Sequence, residues 1–446
     1  MKRLAFVLFA AVAAVAACLV ACSGSSAPSP PPGSAPPGAN GAAPTYFGEI
    51  EPILHERCTR CHQPNNLAPF SLVTADDVIP KAKWIAAAVA DGQMPPMPAT
   101  AEDGCPPIDD PRVMPQAERD LVKRWVDTGA ALGDPKPVRE PPSPYGVLGA
   151  PTHTFENPFT YDAPSSGDDD YRCFVIEHGL PAPLGVSAVG VQPGNARMVH
   201  HATVYVVPPE GAGALRKLDA DDPRPGYSCF GGVGVSQAVA AGFWVPGMTA
   251  VAPPRPGLGG WLVPNWPMVV QIHYNFANGR GSDRSSIIAW QSPQIVSEIP
   301  GSLILGDWTI TLPPGEKRIV RDVMGDIVSN AQAANLGQVK EGLIYAAWAH
   351  QHLLGKSFRM DLVHVDGSSQ CLLHIPKWNF HWQGIYRFKD PIEAKVGERV
   401  KVTCEWDNSV EGQPFVDGKR QPPRLVTYGE GTADEMCIGT LAVMNR

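Results

Sequence analysis

The stretch MVHHATVYVV, Met198–Val207, predicts a β-strand, because β-branched and aromatic residues dominate it and it contains neither glycine nor proline. It carries His200 and His201 side by side. Neighbouring side chains of a regular strand point to opposite faces of a sheet. If both histidines serve one site, we therefore expect a β-bulge or a strand end between Val199 and Ala202.

Similar β-like runs continue through the rest of the chain, separated by turns rich in glycine and proline. They include ATVYVV (202–207), MVVQIHYNF (268–276), SLILGDWTITL (302–312), GLIYAAWAHQHLL (342–354), RMDLVHV (359–365), RVKVTCEWDN (399–408) and MCIGTLAVM (436–444). The 48 prolines and 44 glycines also favour turn-rich β structure. This β part, residues 153–446, is long for one sandwich, so we predict a mostly β protein with two antiparallel, jelly-roll-like β-sandwich subdomains, residues 153–300 and 301–446.

Composition and charge narrow the class of protein. The 446 residues are 44% hydrophobic and 18% charged, which suits two or three globular domains. The net charge of −8 gives no support to nucleic-acid binding, which favours a basic face.

The first 22 residues, MKRLAFVLFAAVAAVAACLVAC, combine a basic start with an apolar run, which predicts an export signal over residues 1–21. Its end, LVAC, resembles the lipobox of bacterial lipoproteins and implies acylation of Cys22; an ordinary signal peptide cleaved nearby is the alternative. Residues 22–44, rich in proline, glycine and serine, predict a flexible tether. We therefore expect an exported protein that is lipid-anchored to a membrane and faces the periplasm, with Ser23 favouring the outer membrane.

A haem motif follows the tether. The segment FGEIEPILHERCTRCHQP predicts a helix over 47–62, ending in Cys58-Thr59-Arg60-Cys61-His62. In C-x-x-C-H, two thiols bond the haem vinyl groups and the histidine ligates iron. A zinc knuckle would need two more ligands nearby, but no Cys or His lies between His62 and Cys105. A redox dithiol would need a βαβ pattern, which is also missing.

The sixth iron ligand is predicted in DGQMPPMPA, residues 91–99, where Met94 and Met97 lie in a proline-stiffened loop. Residues 67–97 resemble small bacterial cytochrome c domains in which the methionine before Pro-Pro is the distal ligand. The resemblance implies Met94 as the ligand, with Met97 as the second choice.

A further amphipathic helix, over 114–130, is predicted to close this segment. Residues 45–135 thus form a predicted α-helical, cytochrome c-like haem domain, followed by a proline-rich linker over 136–152.

Three more histidines lie in β-like runs. His350 and His352 are two residues apart in AAWAHQHLLGK, so a regular strand would project both from one face as a chelate. His273 lies alone in VVQIHYNF, and a lone histidine is more often a core or surface residue than a ligand. Imidazole suits zinc, copper, iron or nickel, so the ligand type does not identify the metal.

Four motifs in order, VHHATVY, VVQIHYNF, AHQHLLGK and YGEGTADEMC, resemble the copper type II, ascorbate-dependent monooxygenases. This family includes peptidylglycine α-hydroxylating monooxygenase and dopamine β-monooxygenase. The resemblance covers essentially all of residues 155–446 and includes LPPGEKRIV, Leu312–Val320. It implies an oxidoreductase that hydroxylates a C–H bond of a small molecule with O₂.

The resemblance also implies the ligands of two copper ions. His200, His201 and His273 would hold the copper that stores and passes an electron. His350, His352 and Met436 would hold the copper where substrate is hydroxylated, and these three are the implied catalytic residues. A thioether in place of a third imidazole favours Cu(I), the state that reacts with O₂. Without the resemblance, Met436 would be interpreted as a core methionine.

The ten cysteines are consistent with this assignment. The family disulfides map onto Cys173 with Cys229 and onto Cys404 with Cys437. Two cysteines, Cys105 and Cys371, remain; they either pair across domains or stay free.

Three positions depart from the peptide-amidating members of the family. Trp348 replaces the arginine that anchors a substrate carboxylate, two residues before H-x-H. Ile438 and Thr440 replace a polar asparagine and a tyrosine after the copper methionine. The departures argue against a glycine-extended peptide and favour a less anionic or more apolar substrate.

The family reaction needs two electrons per turnover, normally from ascorbate. Tethering a haem domain to the same chain raises the effective concentration of an electron donor. We hypothesise that the haem reduces the His200/His201/His273 copper, in place of or alongside an ascorbate-like reductant or a redox partner. The alternatives are a non-catalytic electron-transfer or copper-binding lipoprotein, and a structural β-sandwich with incidental histidines.

Overall fold

The structure is a computed structural model that describes residues 43–64, 66–101, 104–230, 232–248, 250–277, 279–326, 341–416 and 419–446. The predicted export signal, the predicted acylation site Cys22 and almost all of the predicted tether lie outside the described residues. No helix within the described residues is long and apolar enough to cross a membrane.

The prediction of a mostly β protein is confirmed, with a short helical region at the N-terminal end of the described chain. The helices are α1 Glu51–Arg57, α2 Ala75–Val78, α3 Ala82–Ala90, α4 Gln116–Asp127 and α5 Pro209–Asp221. A π-helical turn covers Tyr46–Ile50, and 3₁₀ turns cover Ile79–Lys81 and Gly146–Leu148. Helix α5, which begins with a proline and lies within the β part, was not predicted.

The helical region has its own apolar core. The amphipathic helix α4 buries Leu121, Val122 and Trp125, and this face belongs to the same buried cluster as Ile50 and Leu54. The pattern of apolar residues that predicted α4 therefore gives its packing face correctly.

Helix α1 is shorter than predicted, because it ends at Arg57 rather than at His62. The backbone leaves the helical region at Cys58, with φ −121°. The Thr59 hydroxyl then donates a hydrogen bond of 2.8 Å to the His55 carbonyl, a bond that competes with regular helix.

The first β half contains a five-stranded and a four-stranded antiparallel sheet. Its strands are β1 His153–Phe155, β2 Tyr161–Asp162, β3 Asp169–Ile176, β4 Leu184–Gln192, β5 Val199–Val206, β6 Tyr227–Ser228, β7 Val239–Trp244, β8 Gly260–Leu262, β9 Met268–Asn275, β10 Ser282–Asp283 and β11 Ser286–Gln291. The strand orders are β6-β3-β9-β5-β7 and β1-β11-β4-β8, with β10 paired to β2. One buried apolar cluster draws on both large sheets, so their inner faces pack against each other.

The second β half repeats this arrangement with two four-stranded sheets. Its strands are β12 Gly301–Gly306, β13 Thr311–Leu312, β14 Ile319–Asp326, β15 Glu341–His350, β16 Gly355–Val363, β17 Ser369–Ile375, β18 Ile385–Lys395, β19 Arg399–Trp406, β20 Phe415–Val416, β21 Lys419–Arg420, β22 Val426–Thr427 and β23 Ile438–Asn445. The orders are β12-β23-β15-β18 and β14-β19-β16-β17, with β13–β22 and β20–β21 as small pairs. Along β19, every second side chain from Val400 to Trp406 is buried, as one face toward the core requires.

An apolar cluster joins the two β halves. Leu258 of the first half is buried with Tyr345, Ile385 and Met444 of the second, and Phe243 packs against them. This cluster brings the ends of β5 and β7 close to those of β15 and β18. The histidines of the two halves therefore lie at a common boundary.

The three disulfides of the described residues tie distant parts of the chain. Cys173–Cys229 and Cys404–Cys437 have the pairing that the family resemblance implies. Cys105 and Cys371, left open by the sequence, form a third bridge. Disulfides persist in oxidising compartments, so these three indicate an extracellular or periplasmic location.

The Cys105–Cys371 bridge anchors the segment after the helical region to the second β half. Thr100 pairs with His374 at the end of β17, and Ile108 pairs with Phe388 on β18. An ion pair between Asp109 and Arg387 lies beside them. The helical region is thus attached to the half of the β structure that contains His350 and His352.

Candidate metal centre

A β-bulge places both adjacent histidines on one side of β5. The register of β5 against β9 shifts between Val199 and His201, which leaves His200 as an extra residue. Val199 and Ala202, on either side of the pair, both belong to the apolar core, whereas the histidines do not. The expectation that this segment is not a regular strand is confirmed. His273 lies directly opposite His201 on β9.

The bulge brings His200, His201 and His273 into one cluster. One potential ligand atom from each residue lies within 4.8 Å of the other two. In all three rings, Nδ1 is buried and has no hydrogen-bond partner within the described part of the chain. Burial, reinforced by His273, lowers the pKa of His200 and of His201 well below the usual value, so both rings are neutral at neutral pH.

Three buried ring nitrogens without partners are costly in a folded protein unless something binds them. A metal ion that accepts their lone pairs removes that cost, and imidazole nitrogen suits copper among other metals. The residues present therefore fit a three-imidazole metal site.

Asp169 fixes the orientation of one of these rings. Its Oδ1 accepts a hydrogen bond of 2.8 Å from His273 Nε2, so the lone pair of that ring lies on Nδ1. Asn275 and Thr432 donate to the same oxygen at 2.9 and 2.7 Å. Burial alone would raise the pKa of Asp169, but these hydrogen bonds outweigh it and lower the pKa overall. A carboxylate behind a ligating histidine raises the basicity of that ligand.

We predict that Asp169→Asn weakens copper binding at this cluster by about 10- to 100-fold, because a neutral amide is a weaker acceptor than a carboxylate. The matched control is Asp170→Asn, since Asp170 is the next residue on β3 but accepts from the Tyr161 hydroxyl instead. The copper dissociation constant is measured by competition with a chelator of known affinity. Equal affinities in the two variants would contradict this role for Asp169.

His350 and His352 converge through hydrogen bonds rather than through one regular strand. Strand β15 ends at His350, so His352 lies beyond the strand that was predicted to carry both. His350 Nδ1 lies 2.5 Å from Gln383 Oε1, and His352 Nδ1 lies 3.0 Å from the Asp434 carbonyl oxygen. Both acceptors require a proton on Nδ1. Both Nε2 atoms therefore bear lone pairs, and they face each other at 3.2 Å.

Two facing lone pairs repel each other unless a cation lies between them. Burial lowers the pKa of His350 to about 4 and that of His352 to about 3, so a proton does not fill this role at neutral pH. Two metal–imidazole bonds of about 2.0 Å that meet near a tetrahedral angle span nearly the same distance between nitrogens. The pair therefore fits a metal ion.

Met436 lies close to this pair along the sheet. It is buried, with 6% exposure, two residues before Ile438, which pairs with His350 between β23 and β15. The Cys404–Cys437 disulfide immediately follows it. The position is compatible with the role implied by the family, and Met436 as the third ligand stays a prediction.

Glu435 organises the segment around Met436, and the sequence analysis did not select it. Its carboxylate accepts hydrogen bonds from the backbone amides of His352 and Leu354, at 2.9 and 2.7 Å, and from Trp406 Nε1 at 2.9 Å. Burial raises its pKa to about 7, against the effect of these bonds. Glu435 therefore ties the two segments that carry His352 and Met436 to each other.

The two histidine groups are neighbours. The rings of His201 and His350 lie 5.9 Å apart, centroid to centroid. Phe380 stacks on His200 at 4.4 Å and lies 5.9 Å from His352. Residues from the two β halves thus form one continuous centre.

A cavity of about 160 Å³ opens beside His350. Apolar side chains dominate its lining: Phe243, Val245, Trp348, Ile385 and Ile438. Trp348 and Ile438 are two of the three positions at which the sequence departs from peptide-amidating enzymes. The third, Thr440, is buried in the sheet opposite Trp348.

The residues of the predicted haem motif lie at and after the end of α1, and haem attachment there stays a prediction. Cys58 and Cys61 are free, and burial raises the pKa of both thiols, that of Cys58 to about 12. His62 is buried, with its Nδ1 3.1 Å from the Phe70 carbonyl oxygen. That hydrogen bond occupies Nδ1, so Nε2 is the ring nitrogen of His62 left for a ligand.

The two candidate distal methionines differ in their surroundings. Met97 packs against the core of the second β half, as a structural methionine would. Met94 lies outside the buried apolar clusters of the described residues and is half-buried. This difference favours Met94 as the candidate ligand, and its role stays a prediction.

Comparison with known proteins finds a family match in the second β half. Residues 304–442 match the family described as copper type II ascorbate-dependent monooxygenase, C-terminal domain. The match places the C-terminal domain of this family in that segment of the chain. No curated protein matches the chain.

Several solved structures resemble the chain weakly. The major capsid protein P2 of bacteriophage PM2 is 9% identical, with a TM-score of 0.26 over 66% of this chain and 97% of its own. Allantoicase is 11% identical, with a TM-score of 0.18 over 61% and 81%. PNGF-II is 9% identical, with a TM-score of 0.24 over 66% and 65%. At such low scores, these similarities carry no argument.

Proposed function

We propose that this protein is a copper-dependent monooxygenase that hydroxylates a C–H bond of a small organic substrate with O₂. The observation that carries the proposal is the continuous centre of five histidines. Three buried Nδ1 atoms without partners lie beside two Nε2 atoms that face each other at 3.2 Å. Membership of residues 304–442 in the copper type II monooxygenase family supports the choice of metal and of reaction.

The reaction inserts one oxygen atom of O₂ into a C–H bond and reduces the other to water, which consumes two electrons and two protons. Copper, when bound, supplies the redox chemistry. His200, His201 and His273 would hold one ion, and His350, His352 and Met436 the other. The 5.9 Å between the rings of His201 and His350 supports passage of electrons between the two groups.

The chain's own residues have three roles in this proposal. Asp169 and Gln383 hold the rings of His273 and His350 in the tautomers that expose ligand nitrogens. Glu435 fixes the backbone that carries His352. Phe380 stacks against His200 at 4.4 Å and places an aromatic ring beside the centre.

We further propose that the helical region is a cytochrome c-like domain in which Cys58, Cys61, His62 and Met94 hold a haem that supplies electrons. Two free thiols and the hydrogen bond of His62 Nδ1 to Phe70 support this role. Attachment of the region to the second β half through Cys105–Cys371 keeps the donor close. An ascorbate-like reductant or a redox partner would in turn supply electrons to the haem.

The predicted lipid anchor on Cys22 gives the proposed location. It would tether the protein to a membrane, facing the periplasm, and Ser23 favours the outer membrane. The disulfides support an oxidising compartment.

Oxygen uptake tests the proposed reaction. The copper-loaded full chain is supplied with ascorbate, and O₂ consumption is followed with toluene, benzoate or a glycine-extended peptide as substrate. We expect substrate-dependent uptake, and ¹⁸O from ¹⁸O₂ in the hydroxylated product. If the chain binds copper but none of the three substrates increases O₂ uptake, the non-catalytic electron-transfer or copper-binding lipoprotein is favoured instead.

A stopped-flow experiment tests the electron donor. We predict that reduced haem is oxidised within one chain when the copper centre is oxidised, because tethering makes the transfer intramolecular. Its rate should be independent of protein concentration. The control mixes the separate Cys58→Ala/Cys61→Ala variant, copper-loaded, with reduced, copper-free chain. Haem oxidation no faster in the single chain than in that mixture would contradict the relay.

A further inference from the structure

We propose that the cavity beside His350 binds a small, uncharged apolar molecule, of about the size of one aromatic ring, as the substrate. This inference rests on the proposed monooxygenase function and names its substrate class. The chemistry of the cavity lining, its volume and its position relative to His350 carry it.

The wall of the cavity is aromatic and apolar. The Phe243 ring lies 6.1 Å from the His201 ring at an interplanar angle of 18°, and 6.4 Å from the Trp348 ring at 29°. Ile385 and Ile438 complete the apolar part of the wall. Apolar surface of this kind favours uncharged, apolar ligands, because removing them from water breaks no strong electrostatic interactions.

The Gln383, His201 and His350 side chains of the lining are committed to other partners or to the candidate metal sites. Gln383 uses its Oε1 on His350 and donates its Nε2 to the Phe380 carbonyl at 3.0 Å. The other two polar residues, His201 and His350, offer the nitrogen atoms of the candidate metal sites. No charged side chain lines the cavity within the described residues. A carboxylate or an ammonium group would therefore be desolvated here without a partner.

The volume sets the size of the ligand. A protein cavity of about 150 Å³ lined by aliphatic and aromatic side chains holds a benzene molecule. The 160 Å³ found here thus suits one ring with a small substituent. A peptide would have to extend far outside the cavity.

The position of the cavity connects it with the reaction. His350 is part of its wall, so a molecule in the cavity has C–H bonds beside the group proposed to hold the hydroxylating copper. Trp348 and Ile438 are on adjacent strands, β15 and β23, at the level where His350 pairs with Ile438. Two of the three side chains that depart from the peptide-amidating enzymes, Trp348 and Ile438, are therefore ones that a substrate would touch.

The test compares two probes that share a ring and differ in charge, toluene and benzoate. Binding to the full chain, with and without copper and in the absence of reductant, is measured by isothermal titration calorimetry. We expect toluene to bind about 10-fold or more tightly than benzoate, because an unpaired charge is excluded from the cavity. Benzoate binding as tightly as toluene would overturn the proposal.

Two variants of one residue localise the binding. Trp348→Arg supplies a cation, so we expect the preference to reverse toward benzoate, whereas the control Trp348→Phe should keep toluene binding within a few-fold. Copper content and thermal unfolding verify that both variants fold. If Trp348→Arg fails to fold, Ile438→Asn is compared with Ile438→Val, with loss of toluene binding expected only in the asparagine variant. An unchanged preference in a folded Trp348→Arg or Ile438→Asn protein would overturn the assignment.

The result separates the two proposals. If toluene binds at Trp348 but does not support O₂ uptake, the apolar binding site is supported. Hydroxylation of toluene is then contradicted. Hydroxylation of benzoate or of a peptide, with no binding of toluene, would support the monooxygenase and overturn the substrate class.

Discussion

Replacing Met436 by isoleucine is expected to abolish hydroxylation while the chain stays folded and retains one copper ion. The thioether is the only soft ligand proposed for the second metal, and its loss removes the preference for Cu(I). We expect turnover to fall by more than about 100-fold. This is more than the loss typical of mutating a residue that only hydrogen-bonds to a metal ligand. Copper content should fall from two ions per chain to one.

The substitution is chosen to spare the fold. Met436 is buried, and exchange for an apolar residue of similar volume usually costs less than about 1.5 kcal/mol. The matched control is Met444→Ile, which changes a methionine that is equally buried in the apolar cluster between the β halves. Normal hydroxylation by Met436→Ile would remove Met436 from the site.

Replacing His273 by alanine is expected to produce the reciprocal result. The variant loses one of three imidazoles and leaves Asp169 without its ring partner, so copper should be lost from the His200/His201/His273 group. The second copper should remain, and hydroxylation should again fall by more than about 100-fold, because the site proposed to store an electron is missing. Metal analysis and product formation measure the two effects separately.

His178→Ala is the control for this change. His178 also lies in the first β half, but both of its ring nitrogens have hydrogen-bond partners, the Val263 carbonyl and the Leu180 amide. It therefore has no nitrogen free for a metal, and its loss should leave two copper ions in place. Equal copper loss in His178→Ala and His273→Ala would mean that the effect is one of folding.

The sequence predicted features that depend on local chemistry. Adjacent histidines in a strand required an irregularity, and the bulge at His200 is that irregularity. Each β-like run that was quoted overlaps a strand of the structure, because alternation of apolar side chains directly reflects a face packed on a core. The family resemblance gave the pairing of two disulfides, which local pattern alone could not give.

Features that depend on distant residues were not predicted. Asp169 lies 104 residues from His273, and Gln383 lies 33 residues from His350, with no local pattern that marks either as a partner. Cys105 and Cys371 are separated by 266 residues. Such contacts follow from how sheets and segments pack, which neither periodicity nor residue type encodes.

Glu435 is an intermediate case. It precedes Met436 directly, so its place in the motif was visible, but its role depends on backbone amides at His352 and Leu354 that it meets only in the folded chain. The prediction of a regular strand that carries His352 was wrong for the same reason, because the strand ends at His350. Hydrogen bonds that the two rings donate to Gln383 Oε1 and to the Asp434 carbonyl, not strand periodicity, direct the rings toward each other.

Copper stoichiometry combined with electron paramagnetic resonance tests the central claim most directly. The full chain is loaded with Cu(II), freed of excess metal, and measured by metal analysis and by quantified EPR. We predict two type 2 Cu(II) ions per chain, one of which is lost in Met436→Ile and the other in His273→Ala. A chain that binds no copper, or that keeps both ions in either variant, would contradict the two-site account.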